Sequence, residues 1–260
     1  MTNNHILVAR DDGVVHVTLN RPDKLNCIAT AMWRELKALF EGFDADEGLR
    51  CVVMSGAGGK AFCVGADIAE FSEVRSNAGQ ARAYAKLTHG ALEAIGNCRH
   101  PVIAAVQGLC VGGGLELSAM CDMRFCTENS RFGIPVKRLG LVVAYNELLP
   151  LVRLVGPANA KELLLEGQVF GAARAHEMGL VNRVLPEAGF DGAVAGIASA
   201  IAEGAPLVAR WHKKFIDRVT DPSPLSPEEL DESFDCFDTE DFQIGTEAFN
   251  AKTKPVFKGR

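Results

Sequence analysis

The sequence has no surplus of positive charge: 27 Lys and Arg stand against 33 Asp and Glu in 260 residues, a net of −6. Such a chain repels phosphate backbones and anionic lipid. A nucleic-acid role would need a local basic patch interleaved with aromatics, and none is visible. Long apolar runs are also missing, since Gly or a charge interrupts every one before the ~18 residues that a membrane-spanning helix needs. The opening MTNNHILVARDDG has neither the cationic start nor the apolar stretch of a secretory signal. The eight cysteines, at 27, 51, 63, 98, 110, 121, 126 and 236, make no CxxC or Cys/His spacing, and the six histidines make no HExxH. Metal binding is therefore not expected, and reduced, buried thiols in a cytoplasmic protein are. Neither GxGxxG nor GxxxxGK[ST] occurs, which removes the dinucleotide and P-loop readings.

What is present is an ordinary globular balance, 48% hydrophobic and 23% charged, which excludes disorder and low-complexity classes. The length suits one main domain with an annex. Ile6-Leu7-Val8 and the alternating run Val14 to Leu19, joined through Asp11-Asp12-Gly13, read as a hairpin. Thr30 reads as the N-cap of a helix whose apolar positions Met32, Leu36, Leu39, Phe40 and Phe43 recur at helical spacing. Buried strands are expected at 51–54, 101–106 and 123–126, with helices near 80–97 and 115–120 between them. Strand, loop and helix in alternation predict an α/β fold with parallel pairing. Helices then dominate: 147–155, 157–166, 172–178 and 190–203. Another follows from Ala205, broken by Asp221-Pro222-Ser223-Pro224, and one restarts at Ser226-Pro227. Such a tail encloses little core by itself and must dock on the body or on another subunit.

Two segments carry chemistry. Gly108-Leu109-Cys110-Val111-Gly112-Gly113-Gly114-Leu115-Glu116 follows a buried strand and opens a helix. Its glycines let a ligand approach the backbone, and its free N–H groups favour negative charge. Glu116 in that first turn can be a partner of the helix dipole or, if the glycines hold a carbonyl, an acid/base for the adjacent carbon. The segment Lys60 to Phe71 contains a second small-residue loop, Gly65-Ala66. Two N–H groups from separate loops aimed at one oxygen form an oxyanion hole, each donor worth about 3–4 kcal/mol in a dry site.

The run Phe62-Cys63-Val64-Gly65-Ala66-Asp67-Ile68, and Gly108 to Glu116 followed by Cys121-Asp122, resemble the two signature segments of the crotonase, or enoyl-CoA hydratase/isomerase, superfamily. The resemblance extends over nearly the whole chain, from Asn20-Arg21-Pro22 through Phe132-Gly133-Ile134-Pro135 and Leu139-Gly140-Leu141 to the tail. It implies a spiral core of β-β-α turns over residues 1–195 and a helical oligomerisation region over 196–260. It implies trimers, or dimers of trimers, acting on an acyl-CoA thioester with no separate cofactor. Ala66 and Gly113 would supply the oxyanion amides and Glu116 the first catalytic carboxylate. Lys24, Leu25, Ala61 and Ile68 would line the adenine and pantetheine, with Phe62, Gly65, Asp67, Gly112, Pro135, Val136 and Leu141 nearby, and Phe249 and Lys252 would reach the CoA from the tail.

The sequence departs from the family where hydratases carry a second glutamate. After Pro135 stands Val136, and the usual Pro-Gly-rich run is replaced by Leu141 to Glu147. Three readings stay open. In the first, Glu116 acts alone as in an isomerase, or with Glu147 or Tyr145 in the second role. In the second, the site decarboxylates a malonyl-type thioester, where an apolar Val136 suits a departing carboxylate. Or the chain binds acyl-CoA without turnover. Tyr145 and Glu147 each also have a plain structural reading, as a packed ring and a first-turn helix acid.

Overall fold

The computed structural model describes residues 4–260. Strands β1 (Ile6–Asp11) and β2 (Val14–Leu19) form the expected antiparallel hairpin, and β2 then pairs in parallel with β3 (Cys51–Gly56). Beyond this point the chain lays down strands in pairs. β3 is followed by β4 (Ala61–Cys63), β5 (Val102–Val106) by β6 (Leu109–Val111), and β7 (Met123–Thr127) by β8 (Arg131–Gly133). The first of each pair joins a six-stranded sheet, completed by β10 (Arg183–Leu185), in the order β1-β2-β3-β5-β7-β10. The second joins a four-stranded sheet ordered β4-β6-β8-β9, with β9 at Phe170–Gly171. Each turn of the chain adds one strand to each sheet and returns through helix, which is the β-β-α spiral.

Helix α1 (Thr30–Asp44) and the long α3 (Ala78–Gly96) pack together, with the four-residue α2 (Phe71–Val74) between them in sequence. α4 (Gly113–Ala119) follows β6, and α5 (Tyr145–Lys161) breaks at Gly156, whose φ of +72° starts a second helical stretch at Pro157. That break answers to the two helices expected at 147–155 and 157–166. α6 (Ala172–Glu177) precedes β10, and α7 (Phe190–Ala202), α8 (Pro206–Val219), α9 (Pro227–Asp231) and α10 (Glu240–Ala251) follow it. The division expected at 195/196 falls inside α7, a continuous helix whose Phe190, Val194 and Ala198 are buried on the large sheet.

The central strands of the large sheet, β3, β5 and β7, are buried on both faces along most of their length, which is why they read as unbroken apolar runs. Val52 and Met54 enter the main core with Leu36, Phe40 and Phe62, while Cys51, Val53, Ile103 and Ala105 point to the second core under α7. Seven of the eight cysteines are buried and all are free. Burial pushes the Cys51 and Cys63 thiols up to about 12, so they behave as small apolar side chains.

One expected cap is corrected. Thr30 is the first residue of α1, Ala29 holds the cap position, and no side-chain cap bond forms. Thr30 instead donates its N–H to Glu70 Oε2 at 2.8 Å and its hydroxyl to the same oxygen at 2.5 Å. Glu70 thus caps α1 from a distant loop, a contact invisible to local pattern. Ser226 caps the helix expected to restart there, and its side chain forms a capping box with Glu229.

Asn26 fixes the loop that carries the first signature. It is fully buried in a left-handed conformation, accepts from Arg21 N–H at 2.9 Å, and donates to Ala57 O at 3.0 Å and Ala61 O at 2.7 Å. Asn26→Ala leaves these backbone groups unpaired, so urea unfolding should show a loss of about 2–4 kcal/mol. An unchanged midpoint would contradict this assignment.

Candidate active site

The first signature loop leaves β4 and passes beside Ile28. Ile28 N–H donates to Gly65 O at 2.8 Å and Asp67 N–H donates to Ile28 O at 2.9 Å, a single parallel bridge around Ala66. That bridge occupies the groups on either side of Ala66 and leaves the Ala66 N–H without an acceptor among the described residues. The second loop starts α4 in a similar way. Gly112 N–H donates to Gly133 O at 2.8 Å, and the N–H groups of Leu115 and Glu116 turn back to Gly112 O. Gly113, first in the helix, has no residue four back to receive its N–H, and none of the described groups accepts it.

The two free amides are neighbours. A methyl placed on Gly65 would lie 2.9 Å from Gly113 N. One placed on Gly113 would lie 3.6 Å from Ala66 N and 3.7 Å from Glu116 Oε2. Both amides and the carboxylate thus border one small space that no side chain fills. Two loops can approach so closely only because Gly65 has no Cβ and adopts φ +93°, and because Gly114, where a Cβ would sit 2.2 Å from Cys63 O, lets α4 pack on β4.

Glu116 lines a cavity of about 370 Å³. Burial, and secondarily the charge of Glu147, push its carboxyl up to about 7, against a smaller opposing pull from Arg75. At neutral pH it therefore exchanges a proton with little driving force either way, as an acid/base must. Glu147, near the start of α5, faces the same cavity. Its Oε1 is 2.8 Å from His89 Nε2 on α3, and its Oε2 is buried with no partner among the described residues. His89 holds one oxygen and leaves the other free to meet a ligand.

The rest of the wall is mainly apolar: Val64, Leu92, Val111, Val136, Leu141 and Val143, with the rings of Trp33, Phe71 and Tyr84. Of the residues singled out from sequence, Gly65, Ala66, Ile68, Gly112, Gly113, Glu116, Pro135, Val136, Leu141 and Glu147 come together here. Several do not. Tyr145 is 87% exposed and outside the cavity wall, because the turn that aims Glu147 inward carries its neighbour out. Phe62 is fully buried in the core, and Ala61 is buried beside it. Asp67 accepts from Arg21 at 2.8 Å and Lys24 at 3.3 Å, a network that holds its carboxyl below the usual range and pins the loop rather than facing a ligand. Lys24 and Leu25 sit on the turn that ends in this network, outside the cavity wall. Phe249, 84% exposed on α10, and Lys252, just past its end, lie outside this wall. Sequence reading missed His89, Arg75, Trp33 and Tyr84. His89 is 58 positions from its partner and belongs to no spaced motif, so only the packing of α3 against α5 brings it in.

The enoyl-CoA hydratase/isomerase family model matches residues 9–260. The chain belongs to the enoyl-CoA hydratase/isomerase family. It is 36% identical to a probable enoyl-CoA hydratase of Rhizobium meliloti and 33% identical to the short-chain-enoyl-CoA hydratase of Clostridium acetobutylicum, in each case over the whole of both chains. Among solved structures it superposes on an enoyl-CoA hydratase/carnithine racemase of Magnetospirillum magneticum with a TM-score of 0.97. That match has 47% identity and covers 98% of this chain and 96% of the other. The α/β spiral of this structure is the crotonase fold, and family membership makes an acyl-CoA thioester the class of substrate on which the two free amides and Glu116 are to be read.

Proposed function

We propose that this chain is an enoyl-CoA hydratase in which Glu147, from α5, takes the place left vacant by Val136. The Ala66 and Gly113 amides hold the thioester oxygen and stabilise the enolate. Glu116 and Glu147 share the remaining work, one orienting and deprotonating water, the other protonating the carbon next to the carbonyl. The observation that carries this reading is the free Oε2 of Glu147 on the cavity of Glu116, close enough for its charge to raise that carboxyl. Decarboxylation is disfavoured, since a malonyl carboxylate, carried on the carbon next to the carbonyl, would lie against Glu116 and Glu147 rather than at the far end of the acyl group.

Loss of the crotonyl-CoA absorbance on adding enzyme is expected, and Glu147→Gln should slow it by about 10²–10³. The same substitution removes the charge that raises Glu116, so whichever limb of the pH profile reports Glu116 should move below 7. A full rate in Glu147→Gln would remove Glu147 from the mechanism. An inert crotonyl-CoA with CO2 release from methylmalonyl-CoA would replace hydration by decarboxylation.

The same reading includes a trimer, alone or paired. Its support is the apolar surface of the terminal helices and the segments beside them, where Ile216, Val219, Phe234 and Phe237 are each more than half exposed. Light scattering should give a mass of three or six chains, and a monomer would contradict it.

A further inference from the structure

Arg75 ends α2 and faces the cavity, and nothing in the chemistry described above uses it. Its guanidinium lies over two rings, 4.6 Å from the centroid of Phe71 and 5.1 Å from that of Tyr84. Tyr84 is itself fixed, its hydroxyl accepting from Trp33 Nε1 at 2.9 Å. Stacked on aromatic faces, the guanidinium keeps its N–H groups for other acceptors. Among the described residues no carboxylate or carbonyl takes them, although ion pairs occupy most other partly buried cations, such as Arg21 with Asp67 and Lys213 with Asp122. The acids of the cavity do not consume this charge: Glu147 is bonded to His89, and Glu116 is separated enough to feel Arg75 only as its weakest influence. The cavity therefore holds a preorganised, unspent cation beside the reacting carboxylates, on a wall otherwise built of Phe71, Tyr84, Ala81 and Ala85.

We propose that Arg75 receives a carboxylate at the far end of a short acyl group, so that the preferred thioester is an α,β-unsaturated acyl-CoA with a terminal carboxylate. This rests on the enoyl-CoA reading and narrows it. A planar guanidinium takes a carboxylate through two parallel bonds, whereas an alkyl tail there would desolvate the cation without compensation. Arg75 and Glu116 line one cavity of about 370 Å³, which limits the acyl group to a few carbons beyond the double bond.

The test compares hydration of glutaconyl-CoA with that of trans-2-hexenoyl-CoA, of similar length but uncharged, in the wild type, Arg75→Gln and Arg75→Lys. The wild type should favour glutaconyl-CoA at least tenfold in kcat/KM. Arg75→Gln should lower that ratio at least tenfold, and Arg75→Lys should restore part of it. Because both substrates use the same Glu116, the ratio cancels any effect of Arg75 on its protonation. Equal or reversed preference in the wild type, or a ratio untouched by Arg75→Gln, overturns the proposal. If the wild type hydrates neither substrate, the hydratase reading fails and calorimetry decides on Arg75 alone. Glutaryl-CoA should then bind at least tenfold tighter than hexanoyl-CoA in the wild type and lose that margin in Arg75→Gln, and equal affinities would overturn it.

Discussion

Replacing Glu116 by Gln should lower kcat by about 10²–10⁴ while leaving acyl-CoA affinity within a few-fold of wild type. Gln keeps the shape and part of the hydrogen bonding of the side chain but holds no transferable proton, and the amides proposed to bind the thioester oxygen are untouched. The same substitution carries a stability signature of opposite sign. Burial raises the Glu116 carboxyl from 4.5 to about 7, so ionising it costs the folded state. That cost is absent below about 4.5, where the group is protonated whether the chain is folded or not. It grows as the pH rises from there and is complete above 7, at up to about 3 kcal/mol. Glu116→Gln should therefore raise the melting temperature at pH 8 and leave it unchanged near pH 4. A mutant that keeps turnover, or loses stability at pH 8, would remove Glu116 from the role assigned to it.

Gly65→Ala should be nearly as damaging to the rate for a different reason. The added methyl would stand 2.9 Å from Gly113 N, in the space proposed for the thioester oxygen, on a backbone at φ +93° that only glycine adopts freely. The variant can fold only by moving one loop, and any movement separates the Ala66 and Gly113 amides. A loss of about 10²–10³ in kcat is expected from misplacing one oxyanion donor. Circular dichroism checks that the fold survives. Gly59→Ala, on a neighbouring loop with φ +68° and open space around it, serves as the control for backbone strain alone. Should Gly65→Ala and Gly59→Ala show the same small change in rate, the two amides would not be acting on a common oxygen.

The parts of this fold that were legible in the sequence are those set by local pattern. The β1–β2 hairpin, α1, α3 and the parallel strands β3, β5 and β7 follow from alternation, helical spacing and short apolar runs. Strands β4, β6 and β8, each three residues long, did not emerge, because three residues carry no period and Gly108 and the loop before Ala61 read as linkers. The site divides along the same line. Ala66, Gly113 and Glu116 sit in contiguous motifs whose residue types announce backbone approach and proton transfer. Asp67 belongs to the same motif, yet Arg21 and Lys24 claim its carboxyl, a pairing across more than 40 positions that no local rule gives. Glu147 and Tyr145 are two residues apart on one helix and could not be separated by sequence. The helical turn sends one to His89 and the other to solvent. Arg75 belongs to no motif, and only the rings of Phe71 and Tyr84 reveal what holds it.

Catalysis as proposed requires the Ala66 and Gly113 N–H groups to converge on a single thioester oxygen. Carbonyl-labelled crotonyl-CoA bound to the Glu116→Gln enzyme, which holds the substrate without converting it, permits a direct reading by isotope-edited infrared spectroscopy. Two donors polarising the oxygen should move the C=O stretch clearly to lower frequency than in water, and adding Gly65→Ala should return it most of the way. A bound carbonyl that absorbs at its aqueous frequency, or a shift indifferent to Gly65→Ala, would contradict the arrangement described.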